Sequence, residues 1–113
     1  MHEAGLAAAL AEELLEIARR EGGRILRFSV EIGALSGVDP EAFRLAYEAL
    51  RETVEELRET EMQLVMVPGR FRCQRCGREF EGDYFALCPG CGDPGKSVLS
   101  GEELLLREVE LDV

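Results

Sequence analysis

The sequence predicts an α+β domain in which a three-stranded sheet carries two helices, with a four-cysteine module inserted before the last strand. Three observations predict it: two apolar stripes of helical period, three short segments that read as strands, and two Cys-x-x-Cys pairs gathered in one glycine-bearing stretch. At 113 residues the chain suits one modest domain with an appendage rather than two full domains. The expected division is residues 1–69 with 98–113 as the α/β domain and 70–97 as the inserted one.

Leu6, Leu10, Leu14 and Ile17 form the first helical stripe, with Glu12, Glu13, Glu16 and Arg20 on the other faces and Gly22-Gly23 ending it. Leu26, Phe28, Val30 and Ile32 then alternate with Arg27, Ser29 and Glu31, the pattern of a half-buried strand over 25–32. After the turn-forming GALSG, Asp39 is placed to cap a helix and Pro40 is pre-set for its first position. This second helix is expected to bury Phe43, Ala46, Tyr47, Leu50, Val54 and Leu57.

MQLVMV, residues 62–67, is too short for a helix and reads as a strand closed by Pro68-Gly69. At the far end Leu105, Val109, Leu111 and Val113 are expected on one strand face and Glu108, Glu110 and Asp112 on the other, with Arg107 breaking the alternation. The two flanking strands are expected to pair with each other and with 25–32, under two helices.

The module reads CQRCG, a gap of eleven residues between Cys76 and Cys88, then CPGCG. Each pair lets two thiolates converge from one tight turn, and Gly77 and Gly92 permit the positive φ such a turn often needs. Cys73, Cys76, Cys88 and Cys91 therefore read as a structural zinc site, and the module as a zinc ribbon. Iron is the rival ion, since the knuckles resemble those of rubredoxin. Zinc is preferred because the knuckles lie close in sequence and few aromatic residues are present for a shared core. A filled four-thiolate shell has no open position for substrate, so this site holds shape and does no chemistry.

The formal net charge of −10 argues against long-range attraction to phosphate backbones. Arg70, Arg72, Arg75 and Arg78 crowd the first knuckle, yet residues 70–97 hold five basic and four acidic side chains. A divalent ion on four thiolates brings the module to about −1. No apolar run is long enough to span a bilayer, and the first apolar stretch is broken by glutamates and lacks a basic leader, so no signal peptide and a cytoplasmic location are expected. Reduced thiols in that compartment favour metal over disulfide.

His2 is the one histidine in the chain. A free α-amine at Met1, the backbone nitrogen of His2 and its imidazole can close fused five- and six-membered chelate rings around one ion. Coplanar nitrogens of this kind favour nickel(II) or copper(II) over zinc. Glu3 stands next as a nearby carboxylate.

The MHE start, a first helix, a strand ending EIGALSGV with Asp-Pro following, CQRCG and CPGCG, and the closing SGEELLLREVEL resemble the hydrogenase maturation nickel metallochaperones, the HypA/HybF family. The likeness runs from Met1 to the last strand in the family's order. It implies a nickel carrier rather than an enzyme, with Ni(II) as transferred cargo and Zn(II) as a structural ion. Met1, His2 and Glu3 match the family's nickel-binding start, and the four cysteines match its zinc ligands. Asp39 matches a position near the nickel in some members, a reading that competes with its role as helix cap.

The implied partners are a hydrogenase maturation GTPase and the large subunit of a [NiFe] hydrogenase, with no nucleic acid and no membrane. Two departures stand out. AGLAAAL follows MHE, so that Gly5 loosens the start of the first helix, and no second histidine is present for the nickel. The alternative is a zinc-ribbon adaptor that meets nucleic acid or a protein through its arginine edge. An enzyme is the weakest class, since the sequence offers no nucleophile with its base, no catalytic carboxylate pair and no phosphate loop.

Overall fold

The computed structural model describes residues 3–112; Met1, His2 and Val113 lie outside the described residues. The elements are α1 (Glu3–Glu21), β1 (Arg24–Gly33), α2 (Pro40–Thr53), β2 (Glu61–Val67), β3 (Arg70–Cys73), β4 (Glu79–Glu81), β5 (Lys96–Ser100) and β6 (Leu104–Asp112). Among the described residues they build an α+β fold of two helices and two three-stranded sheets, ordered β2-β1-β6 and β4-β3-β5. Among the described residues no helix is long and apolar enough to cross a membrane.

The chain divides into two compact units. The first runs up to Val30 and takes in Val38–Val65 and the chain from Leu105 on; the second is Glu31–Gly37 with Met66–Leu104. The stretch 70–97 lies within the second unit, which also holds residues on either side of it.

In the first unit α1 buries Ala7, Leu10, Ala11 and Leu14, and ends where the Gly22 and Gly23 N–H groups both reach the Ala18 carbonyl, at 2.9 and 3.3 Å. Gly22 has φ of 71°, the left-handed conformation that closes helices. α2 starts at Pro40 under an Asp39 cap, as the sequence indicates. It ends earlier than expected, at Thr53, because Thr53 Oγ1 donates to the Leu50 carbonyl at 2.9 Å and Val54 turns extended. A single 3-10 turn, Glu55–Leu57, still carries Leu57 into the core, where it is buried with Phe43 and Tyr47.

The Tyr47 ring meets Phe28 of β1 edge-on at 5.2 Å, and its hydroxyl donates to the Thr60 carbonyl at 3.0 Å. Thr60 Oγ1 in turn donates to the Ile25 carbonyl at 2.8 Å, so the two buried hydroxyls are both satisfied.

β1 lies in the middle of its sheet, so the two flanking strands pair with β1 and not with each other, contrary to expectation. The physical reason is burial on both faces: Ile25 and Ser29 are covered as well as Phe28, Val30 and Ile32, whereas β2 and β6 are half-buried or exposed throughout. β6 also corrects one face. Leu104 and Leu106 are half-buried and Leu105 is exposed, then Arg107 and Glu108 are both exposed before Val109 and Leu111 turn inward. The parity changes at this step, where the Glu108 N–H donates to Ser29 Oγ at 3.2 Å.

In the second unit β3 is the central strand, antiparallel to both β4 and β5, with Phe71 opposite Phe80 and Val98. Phe71, Cys73, Phe80 and Cys88 are its buried cluster, and Leu35 and Ala86 pack against them. Glycines let backbones meet closely here. A Cβ on Gly33 would lie 1.9 Å from the Gly101 carbonyl oxygen, and one on Gly101, whose φ is +112°, would lie 2.7 Å from Gly69 Cα.

Candidate metal centre

The four cysteine sulfurs converge, all within 4.8 Å of one another. Cys73 and Cys91 are 3.6 Å apart and Cys76 and Cys88 3.5 Å. A tetrahedral zinc with bonds of about 2.3 Å sets sulfurs about 3.8 Å apart, so the donor set and its spacing fit Zn(II).

The two knuckles repeat one construction. The Cys73 N–H donates to the Arg78 carbonyl at 2.8 Å and the Cys88 N–H to the Asp93 carbonyl at 3.1 Å. Gly77 and Gly92 donate back to the Cys73 and Cys88 carbonyls at 3.0 and 2.8 Å, in left-handed conformations of φ 82° and 78°. The first sulfur of each knuckle also accepts two amides. Cys73 Sγ takes Arg75 and Cys76 N–H at 3.3 and 3.4 Å, and Cys88 Sγ takes Gly90 and Cys91 N–H at 3.3 and 3.5 Å.

These amides favour thiolate. The Cys91 N–H, working against burial and aided by the Gly90 N–H, holds the Cys88 thiol down to about 6, and the Cys76 N–H is the main cause of a lowered Cys73. Cys91 moves the other way: the Asp93 N–H draws it down, but burial and the three neighbouring sulfurs push it up to about 11. Four sulfurs at this separation resist full ionisation without a cation among them, and a divalent ion removes the conflict. Cys73 and Cys88 are buried and Cys76 and Cys91 exposed, so the cluster has a packed side and a wet side.

The arginine edge is partly neutralised. Arg72 and Arg70 both turn to Glu79, at 2.7 and 3.8 Å, which holds that carboxyl below its usual range, Arg72 being the main cause. Two of the four arginines in RFRCQRCGR therefore share an internal carboxylate, which leaves less cationic surface for phosphate.

Of the residues assigned to nickel, Met1 and His2 lie outside the described residues. Glu3 and Asp39 come together: the Asp39 N–H donates to Glu3 Oε2 at 3.2 Å. Asp39 Oδ1 itself accepts from the Glu41 and Ala42 N–H groups at 3.0 and 3.2 Å, so the capping role read from the sequence is filled. The Asp39 N–H, with Glu3's own amide behind it, lowers the Glu3 pKa. Nothing local in the sequence signals this bond, whose partners are 36 residues apart.

Against known proteins, residues 1–111 match the family model described as hydrogenase/urease nickel incorporation, metallochaperone, hypA. The chain belongs to the HypA family. Among its relatives, the hydrogenase maturation factor HypA of Geobacter metallireducens is 40% identical over 116 residues, covering 99% of this chain and 100% of that protein. That of Aquifex aeolicus is 33% identical over 116 residues, covering 100% and 99%.

Two solved structures share the fold. The solution structure of the Ni metallochaperone HypA from Helicobacter pylori superposes with a TM-score of 0.69 at 24% identity, covering 98% of this chain and 97% of that one. A second HypA solution structure gives 0.72 at 24% identity, covering 98% and 96%. HypA proteins carry nickel for hydrogenase maturation, a metallochaperone's role rather than a catalyst's, and their partners are hydrogenase-related. That is the function of this chain, with nickel as cargo and the four-cysteine cluster as its structural zinc site.

Proposed function

We propose that nickel(II) is held at the start of the chain by the Met1 amine and the His2 amide and imidazole nitrogens, with Glu3 and Asp39 tuning or completing the shell. The observation that supports this most is the bond from the Asp39 N–H to Glu3 Oε2, which gathers both carboxylate-bearing candidates at the first turns of α1 and α2. The three nitrogens suit a square-planar ion. Nitrogen ligands drawn from the end of a chain can exchange one at a time, which serves a carrier that must select its ion and also release it.

In this reading Cys73, Cys76, Cys88 and Cys91 hold the zinc, and the filled shell leaves nickel to the other end of the chain. The cargo passes by ligand exchange to the large subunit of a [NiFe] hydrogenase in the cytoplasm, with a nickel-handling maturation GTPase as co-partner. Amine and imidazole must lose protons to bind, so nickel affinity falls with acid, chiefly below about pH 6 to 8.

The test is a nickel titration followed by absorption spectroscopy on the chain with Met1 at its terminus and on the same chain extended by a few residues before Met1. Binding of one nickel with a square-planar spectrum by the first and not the second is the expected result. Equal binding by both, or by neither, overturns the amino-terminal site.

A further inference from the structure

The loop of residues 82–87 carries two apolar side chains, Phe85 and Leu87, that the second unit leaves mostly in solvent, and a third, Tyr84, that it half covers. Tyr84, Phe85 and Leu87 are 47%, 90% and 59% exposed. The backbone beneath them is nevertheless held. Gly82 N–H donates to the Gly69 carbonyl at 3.0 Å, and Asp83 accepts twice, its Oδ1 from Phe85 N–H at 2.8 Å and its carbonyl from Ala86 N–H at 3.1 Å.

The alternate side chains point inward. Tyr84 sets its ring edge against Phe71 at 6.1 Å with its hydroxyl on the Glu102 carboxylate, and Ala86 packs on the buried cluster. A four-residue turn begun by Asp83 asks for no aromatic residue at its third position, where Asn, Ser or Gly serve as well. Phe85 therefore adds nothing to the fold that a small polar residue would not supply. An aromatic ring on an ordered backbone has the form of an interface anchor, because docking it orders little that is still free.

The surroundings define what it fits. Asp83 and Glu102 flank the loop, and the second unit holds seven carboxylates against five cationic side chains, two of them already turned to Glu79. A second copy would bring the same acidic rim and be repelled, at a net charge of −10 per chain. We propose that Phe85, seconded by Leu87, anchors this module in an apolar pocket rimmed by lysine or arginine on the protein that receives the nickel. The proposal rests on the carrier reading above.

The test uses the full chain loaded with zinc, as wild type, Phe85→Ser and Leu87→Ser, titrated against the purified nickel-free precursor of the hydrogenase large subunit, with the maturation GTPase as a second probe. Phe85→Ser is expected to weaken binding to the precursor by about tenfold or more, and Leu87→Ser by less. Zinc content, melting temperature and nickel titration should stay unchanged, and binding should weaken as salt rises toward about 0.5 M. Equal binding of the precursor by Phe85→Ser overturns the anchor and leaves the carrier reading intact. An effect confined to the GTPase, or to self-association, overturns the assigned occupant. A wild-type chain that binds nickel but neither protein overturns delivery and the docking proposal together.

Discussion

The Asp39 N–H donates to the Glu3 carboxylate at 3.2 Å while Asp39 Oδ1 caps Glu41 and Ala42, so the start of α2 is closed by a capping box shared between two helices. In an ordinary capping box the carboxylate that reaches back to the cap's own N–H comes from three residues on. Here the residue three on from Asp39 is Ala42, which has no carboxylate, and α1 supplies one from 36 residues away.

Two substitutions separate the parts of this arrangement. Asp39→Ala removes the cap and should lower stability by about 1 kcal/mol, read as a drop in melting temperature. Glu3→Gln keeps an acceptor for the Asp39 N–H and loses the charge. Because the Glu3 pKa is lowered in the fold, its contribution is present above the ordinary value of 4.5 and is lost as pH falls through the lowered one. The melting-temperature difference between wild type and Glu3→Gln should shrink between about pH 6 and pH 3. A difference that is flat with pH would show that the charge adds nothing to the contact.

Tyr47 gives a test on the alkaline side. Burial pushes its phenol from 10.0 up to about 12. The raised value stabilises the fold fully below pH 10, and that stabilisation is lost as pH climbs from 10 toward about 12. Tyr47→Phe should remove this alkaline slope. It should also cost about 1 to 2 kcal/mol at neutral pH, since the buried Thr60 carbonyl loses its donor. Thermal unfolding of both proteins between about pH 8 and 11 reads the two effects together.

The glycines divide by what surrounds them. Gly33→Ala places a methyl 1.9 Å from the Gly101 carbonyl oxygen, backbone that cannot swing aside, and should cost at least about 3 kcal/mol. Gly37 has a φ of +79° but open space, so Gly37→Ala should cost only about 1 kcal/mol. Gly5 lies in α1 with nothing near it, and Gly5→Ala should stabilise by about 0.5 kcal/mol. Urea midpoints of the three variants should fall in that order, and a Gly33→Ala as stable as Gly37→Ala would refute the close contact.

Zinc is expected to carry much of the second unit's order, because its buried cluster has four members and two of them are cysteines. Cys88→Ser, or removal of the metal by a strong chelator, should collapse the amide chemical-shift dispersion of residues 70–100. Gly77→Ala and Gly92→Ala strain one knuckle each, at φ 82° and 78°, and should weaken zinc binding by about tenfold. Retained dispersion after metal loss would mean that the hydrophobic cluster holds this unit without the ion.

Local signals that were strong in the chain survive folding. The leucine stripe makes α1, the Asp39-Pro40 step starts α2, and each Cys-x-x-Cys with its glycine makes a knuckle. The alternation of residues 25–32 makes β1, although strict alternation gave no hint that Ser29 and Ile25 would be covered too. Helix length and strand face were harder to read. The end of α2 turns on competition between Thr53 and the backbone, and the inward face of β6 changes beside Ser29 of β1.

The sequence alone determined the two helices, the strands β1, β2 and β6, the grouping of the four cysteines and the likeness to nickel carriers, because these rest on spacing within a few residues or on motifs in order. The three short strands β3, β4 and β5 of the second sheet left no such signal. Tertiary structure decided which strand lies in the middle, which glycines admit no side chain, that Glu3 closes the cap of α2, and that Phe85 stays in solvent while Tyr84 and Ala86 turn in. Each of those depends on what another part of the chain places at the same point in space. Periodicity and propensity, being properties of neighbours along the chain, carry no record of it.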